Sequence, residues 1–349
     1  MGFIFSKCTK KIERNGENSL LKKYSWDDKK SVVDPSDYIL NELLNKEAWK
    51  LPGDINGEQI VIKNCTNTLI YVLDHINMVT IDDCIGCKII TGPVKGSVFI
   101  RDCKECVLVI ACSQFRIRDC KMLDVFLSCA TQPILESSSN IRFGCYHLSY
   151  LGLEDHFSTA FLSPFNNSWY DIHDFTPTQG GHNWSILPNK TSILDYLQPP
   201  AAHGNLRISL NKNDSIVPVT TGIFNQLTDV SEACLVVFFF DGREENTAST
   251  FIRKFNHDMP DAKLLTTKKV LLSPRDAEII FGTTTYNQVT TRGPLIGLVV
   301  VGQQVNSYCQ KAVSEITSET DKIYVSNDQR TSTVQVDTFI NVSNMNLQT

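Results

Sequence analysis

The sequence predicts a mainly β protein, with a β-solenoid in its N-terminal half and a smaller α/β domain of ferredoxin-like type after it. Three observations carry this. The segments Ile60–Cys65, Val79–Cys84, Val98–Cys103 and Phe115–Cys120 share one pattern that ends in Asn-Cys or Asp-Cys. Their last cysteines follow one another at 19, 19 and 17 positions (65 to 84, 84 to 103, 103 to 120), and a degenerate fifth copy stands at Pro133–Ser138. A short fixed period without 3.6-residue spacing marks stacked coils. After residue 233 apolar strand-like runs alternate with helix-periodic ones, which is the pattern of a layered α/β fold.

Within each repeat the first and third positions are apolar. Side chains alternate faces along a strand, so Ile60, Val79, Val98 and Phe115 should point inward together with Ile62, Ile81, Ile100 and Ile117. The fourth column, Lys63, Asp82, Arg101, Arg118 and Glu136, should then face out. Coils about 4.8 Å apart would let Asp82 pair with Arg101 and Arg118 with Glu136. The second column reads Val61, Thr80, Phe99, Arg116 and Ile134. Arg116 is its one charged member, and by spacing alone it is a solvated surface arginine.

Cys84-Ile85-Gly86-Cys87 and Cys103-Lys104-Glu105-Cys106 have the spacing of a four-thiolate zinc site. The repeat gives them another role. Both pairs occupy equivalent positions of successive coils, and the columns run on through Cys65 and Cys120, and through Thr68 and Leu123. The cysteines are therefore expected to be reduced, buried apolar groups, and neither a metal nor a cofactor is expected.

A net charge of −5 argues against nucleic-acid binding. No apolar run is long enough to span a bilayer, and no secretory core follows Met1, so a cytosolic protein held to a membrane by lipid is expected. Met1-Gly2-Phe3-Ile4-Phe5-Ser6 fits the myristoylation pattern, with Gly2 as acceptor. One acyl chain binds only marginally, and Cys8, with Lys7, Lys10, Lys11 and Arg14 around it, offers a second signal.

The stretches Thr91–Phe99, Ser113–Cys120, Thr131–Glu136 and Ile172–Pro177 resemble the tubulin-folding-cofactor-C domain, and the likeness runs over roughly residues 24–185. The resemblance implies a right-handed parallel β-helix that activates GTP hydrolysis on an Arf-like small GTPase and serves the trafficking of lipidated proteins to membranes or cilia. In it Arg116 matches an arginine finger inserted in trans, Gln114 a supporting glutamine, and Phe175 an aromatic at the partner interface. Arg118, Glu136 and Ser113 fall beside them. The family motif Gln-Gln-Phe-Arg reads Ser-Gln-Phe-Arg here, so Ser113 lacks the reach of a glutamine. The family usually has cysteine directly after the acceptor glycine, where this chain has Phe3. A non-catalytic adaptor that binds tubulin or a GTPase is the alternative.

The resulting division is a lipidated tail (1–35), the cofactor-C-like β-helix with a packed aromatic loop (36–195), a linker (196–230) and the C-terminal domain (231–349). In that last domain, strands are expected at Cys234–Phe240, Val270–Leu272, Leu295–Val301 and Ile323–Val325, with helices at Glu244–Phe255 and Gln304–Ile316. Gly293–Leu298 looks like a nucleoside-diphosphate-kinase strand, but that family's Asn-x-x-His-Gly-Ser segment does not follow it. His257 stands in the wrong place to replace the phosphoryl-carrying histidine, so a degenerate, non-catalytic domain is expected.

Overall fold

The computed structural model describes residues 34–179, 181–200, 206–222, 232–316, 323–327 and 329–346. The repeats form a parallel solenoid. On one side Ile60–Lys63 pairs with Val79–Asp82, Val79 stands opposite Val98, Val98 opposite Phe115, and Arg116 opposite Ile134. A second side stacks Glu47–Lys50, Leu69–Val72 and the start of Lys88–Arg101 in the same parallel sense. The inward columns are buried as expected, and the second column is half-buried until Arg116, which is exposed.

The Asn or Asp before each cysteine has a conformational reason. Asn64, Asp83, Asp102 and Asp119 have φ of 54°, 51°, 53° and 53°, the left-handed region that costs other L-residues about 1–2 kcal/mol. A second left-handed residue follows three positions later, at Asn67, Gly86, Glu105 and Met122, so two bends bracket each Cys-x pair. Each first-column thiol donates to the carbonyl two residues before it: Cys65 to Lys63 (3.3 Å), Cys84 to Asp82 (3.3 Å), Cys103 to Arg101 (3.1 Å) and Cys120 to Arg118 (3.2 Å). Thr68 does the same with its hydroxyl toward Thr66 (3.0 Å).

Tyr146, Leu148, Phe157 and Ile193 cover the outer surface of the second side, brought there by the helix Leu153–Thr159 and the turn Ile193–Asp195. The first side keeps its outer surface open. Residues 206–222, within the stretch expected to be a linker, are packed. Val217 is buried, Thr220 Oγ1 accepts from Trp169 Nε1 (3.0 Å), and the Thr221 and Gly222 amides donate to Leu264 and Leu265.

The C-terminal sheet is antiparallel, in the order Lys263–Val270, Leu295–Gly302, Glu232–Phe238, Ile323–Val325. The strand expected at Val270–Leu272 ends at Val270, and Leu271 is exposed. Helices Glu244–Asp258 and Val305–Ile316 pack on one face. Pro274–Phe281 and Gln329–Asn346, which the sequence reading missed, pack on the other. Phe165, from the loop after Leu153–Thr159, is buried within the first of these layers. Thr267 Oγ1 donates to the Phe165 carbonyl (2.8 Å), and Asn166 brackets the Lys269 backbone, accepting from its N–H (2.7 Å) and donating to its carbonyl (3.0 Å). These contacts dock the edge strand of the sheet against the solenoid loop.

Candidate functional site

Arg116 owes its position to register. Phe115 and Ile117 on either side of it are buried, and that alternation turns the guanidinium outward between Phe99 and Ile134. Among the described residues it makes no ion pair. Two positions earlier, Gln114 accepts at Oε1 from Ser97 Oγ (2.9 Å), which fixes its side chain against the preceding coil. Ser113 uses its backbone carbonyl, which accepts from Thr131 Oγ1 (2.9 Å).

Phe175 stands across the ladder from this strand. It is 59% exposed, yet its backbone is held: its N–H donates to Leu135 (2.9 Å), and its ring meets His173 edge-on at 4.4 Å. Asn183 donates to Asp174 Oδ2 (2.9 Å) and to the Thr176 carbonyl (2.8 Å), so both neighbours are fixed as well. An exposed aromatic on a fixed backbone loses little freedom when a partner covers it.

Two concavities flank this point. One, of about 620 Å³, includes Gln114, Arg116, Gln132, His173, Phe175 and Lys268 in its wall. The other, of about 650 Å³, is lined by Phe99, Arg101, Arg116, Arg118, Glu136 and Phe175 among others. Arg116, Ile134 and Phe175 belong to both and form the ridge between them. Five of the six residues singled out for the GTPase contact thus converge; Ser113 lies beside the ridge and lines neither hollow.

The ladder pairs divide. Arg101 makes the expected bidentate contact with Asp82, at 2.8 and 2.7 Å. Arg118 does not pair with Glu136. It stands opposite it in register, but its Nε donates to Asp119 Oδ2 at 2.9 Å. The left-handed turn at Asp119 brings that carboxylate back over the strand end, so the local partner wins. That contact, first, and the field of Asp119 hold the guanidinium pKa above its usual value.

Lys268 was not foreseen. It is 2% exposed and donates from Nζ to Ser168 Oγ (3.3 Å). Burial pulls its pKa down to about 8, and Asp171 opposes this. Asp171 in turn accepts from Gln132 Nε2 (3.1 Å), so the C-terminal sheet reaches the hollow that Arg116 lines. An amphipathic reading of Thr-Thr-Lys-Lys-Val places one lysine on an inner face, but only the docking through Phe165 says which wall it meets.

The cysteine columns run as the repeat requires, and the eleven described cysteines are free and buried. Burial raises the Cys145 thiol to about 11, which leaves it inert. Among the described residues, a group of three His, Cys, Asp or Glu side chains within ligating range of one another lies elsewhere, at Asp74, His75 and His156. Gly2 and Cys8 fall outside the described residues. Among the described residues no helix is long and apolar enough to cross a membrane.

Comparison with known proteins places these features in a family. Residues 57–175 match the family model Tubulin binding cofactor C. Protein XRP2 of Danio rerio is 42% identical over 341 residues, covering 95% of this chain and 88% of that protein. Protein XRP2 of Homo sapiens is 41% identical over 356 residues, covering 99% of each. Tubulin-specific chaperone C of Mus musculus is 31% identical over 159 residues, 45% of this chain and 47% of that protein. The solved structure of Tubulin Binding Cofactor C from Leishmania major aligns at a TM-score of 0.31 and 20% identity, over 43% of this chain and 89% of that one, too low to add to the case. With about two fifths of its residues shared along nearly its whole length, the chain belongs to the Protein XRP2 family and carries that family's tubulin binding cofactor C domain.

Proposed function

We propose that the protein is a GTPase-activating protein for an Arf-like small GTPase, and that Arg116 is the arginine it inserts in trans. The observation that carries this reading is the state of Arg116: exposed, without an ion pair among the described residues, and seated with Phe175 on a ridge between two hollows. A guanidinium that must enter another protein's nucleotide site gains from having no carboxylate to leave. Phosphoryl transfer spreads negative charge over the γ-phosphate oxygens, and a planar cation donating to two of them contributes about 10³- to 10⁵-fold in rate. Gln114, fixed by Ser97, supports the finger, and Phe175 anchors the partner. Arg118, Glu136 and Ser113 border the contact and tune its strength. The reaction calls for no cofactor of this chain's own; the catalytic machinery is the partner's.

Single-turnover GTP hydrolysis with a panel of Arf-like GTPases tests the reading. Stimulation of at least one member supports it, and none at equal concentrations refutes it. The second reading is an adaptor that binds tubulin or a GTPase without catalysis. The similarity to tubulin-specific chaperone C favours it, and it would not need Arg116.

Myristoylation of Gly2, helped by Cys8 and the basic residues near it, would hold the protein on the cytoplasmic face of the plasma membrane or at the ciliary base, where it would serve the trafficking of lipidated proteins. The C-terminal domain is proposed to be ferredoxin-like, a degenerate relative of nucleoside-diphosphate kinases. Its strand order supports this, while its second helical layer is an addition to that plan. We assign it no phosphoryl transfer: His257 is exposed and hydrogen-bonded to Asp258 at 2.9 Å, on a helix.

A further inference from the structure

Three side chains meet at the corner that follows Leu69–Val72, where the chain passes from the second side of the solenoid to the first. Asp74 is 1% exposed and closes the turn before it: Oδ2 accepts from the amides of Gly53 (2.9 Å), Ile55 (2.9 Å) and Asn56 (2.7 Å). Its other oxygen, Oδ1, accepts the His75 amide (2.8 Å) and lies 3.1 Å from His75 Nδ1. Opposite stands His156 of the helix Leu153–Thr159, whose Nε2 is 3.7 Å from the same Oδ1. That distance is too long for a hydrogen bond. Among the described residues His156 Nε2 has no hydrogen-bond partner, although the side chain is only 13% exposed and faces a carboxylate.

The spacing that fails as a hydrogen bond suits two ligands of one ion. Tetrahedral zinc with bonds of 2.0–2.2 Å separates its ligand atoms by about 3.3–3.6 Å. The three ligating atoms lie within 4.8 Å of one another. The surroundings have the form of an outer shell. His156 Nδ1 lies 2.9 Å from Tyr150 Oη, the kind of contact that fixes ring orientation and tautomer when the other nitrogen binds a metal. Gly92 makes room for it: a Cβ there would collide with the Asp74 carbonyl and the Tyr150 hydroxyl. The two imidazoles are partly accessible, at 22% and 13%, which leaves a path for an ion and for a water ligand.

We propose that Asp74, His75 and His156 bind one divalent transition-metal ion, zinc by ligand type, which ties the helix Leu153–Thr159 to the solenoid corner. Two imidazoles and one carboxylate are borderline ligands, better matched to zinc than to calcium or magnesium. The cysteine columns need no metal; only this corner departs from a metal-free chain. The competing account is a network without metal, in which His75 Nδ1–H donates to Asp74 and His156 is held by Tyr150 alone.

The test is zinc binding to the full chain after chelator treatment, with stoichiometry measured by elemental analysis and affinity by competition with a chromophoric chelator. The structure calls for one ion per chain, lost in His156→Ala and weakened at least 10-fold in Tyr150→Phe, whose ligands are intact. The double variant Cys84→Ser, Cys103→Ser should bind as wild type. Cobalt substituted for zinc should show ligand-field bands without the near-ultraviolet thiolate band. Absence of stoichiometric binding, retention by His156→Ala, or a thiolate band would each overturn the proposal. Should His156→Ala not fold, Tyr150→Phe and the cobalt spectrum decide.

Discussion

Arg118 finds its counter-charge in Asp119, its neighbour in the chain, although Glu136 stands opposite it in the ladder. Glu136 is thereby released from the ion pair that the repeat suggested, and its exposed carboxylate lines the hollow shared by Arg116 and Phe175. Under the proposed function, Glu136 then bears on recognition more than on stability. Glu136→Gln should leave the melting temperature within about a degree of wild type and weaken binding of the GTP-bound partner several-fold. Thermal denaturation and a binding titration check this; a large fall in melting with unchanged affinity would restore the ladder pair. Asp119→Asn, by contrast, frees Arg118 and should alter affinity through the cation it releases.

The corners offer a stability test independent of function. Asn64 is left-handed at φ 54° and donates from Nδ2 to Asn41 Oδ1 (3.0 Å). Asn64→Val forces a β-branched residue into that region and should cost about 1–2 kcal/mol. Asn64→Gly should cost clearly less, because glycine enters the region freely. Urea denaturation of both variants decides it. Equal losses would mean that the Asn41 contact, and not the backbone, sets the preference.

Lys268 predicts a pH effect with a definite sign. Burial holds its folded-state pKa at about 8, below the ordinary 10.5, so the folded protein binds fewer protons between those values than the unfolded chain does. The charged lysine is therefore a cost that is complete below pH 8 and is relieved as pH rises toward 10.5, with a full magnitude of roughly 3 kcal/mol. Lys268→Met should be more stable than wild type at pH 7, by up to that amount, and the gap should close by about pH 10. Paired denaturation curves across this range measure it. A gap independent of pH would mean that the ammonium is not desolvated as its burial indicates.

These results also show what the sequence could reveal. Parallel stacking and alternation assign every residue of a repeat to a column, so the burial of Ile60, Val79, Val98 and Phe115 and the exposure of Arg116 were legible. So was the Asp82–Arg101 pair, which needs only register. Arg118 was misread because its partner depends on a left-handed turn, which alignment of columns does not encode. Lys268 was invisible for a different reason: its wall exists only once Phe165 has docked into the C-terminal layers. The helix Gln329–Asn346 lacked signals because its 18 residues have few charges to mark an outer face, and Pro274–Phe281 was missed despite the Ser273–Asp276 capping box at its start. Asp74, His75 and His156 come together across the fold from two separate segments, and nothing in their spacing announces it.

The N-terminal proposal is tested in cells. Gly2→Ala should move the protein from the membrane to the soluble fraction, because the acyl acceptor is gone. Cys8→Ser should release only part of it, since the basic residues still add about 1 kcal/mol each near an anionic surface. Retention of Gly2→Ala on membranes would show that something other than the lipid holds the protein there.

Under the proposed function, stimulation of hydrolysis rests on the Arg116 side chain. In a single-turnover assay with the responsive GTP-bound Arf-like GTPase, Arg116→Ala should reduce stimulated hydrolysis by about 10³-fold or more, while affinity for the partner and the melting temperature stay near wild type. Arg116→Lys should recover little, because an ammonium lacks the planar fork. Hydrolysis stimulated by Arg116→Ala as strongly as by wild type, at saturating concentration, would contradict the account.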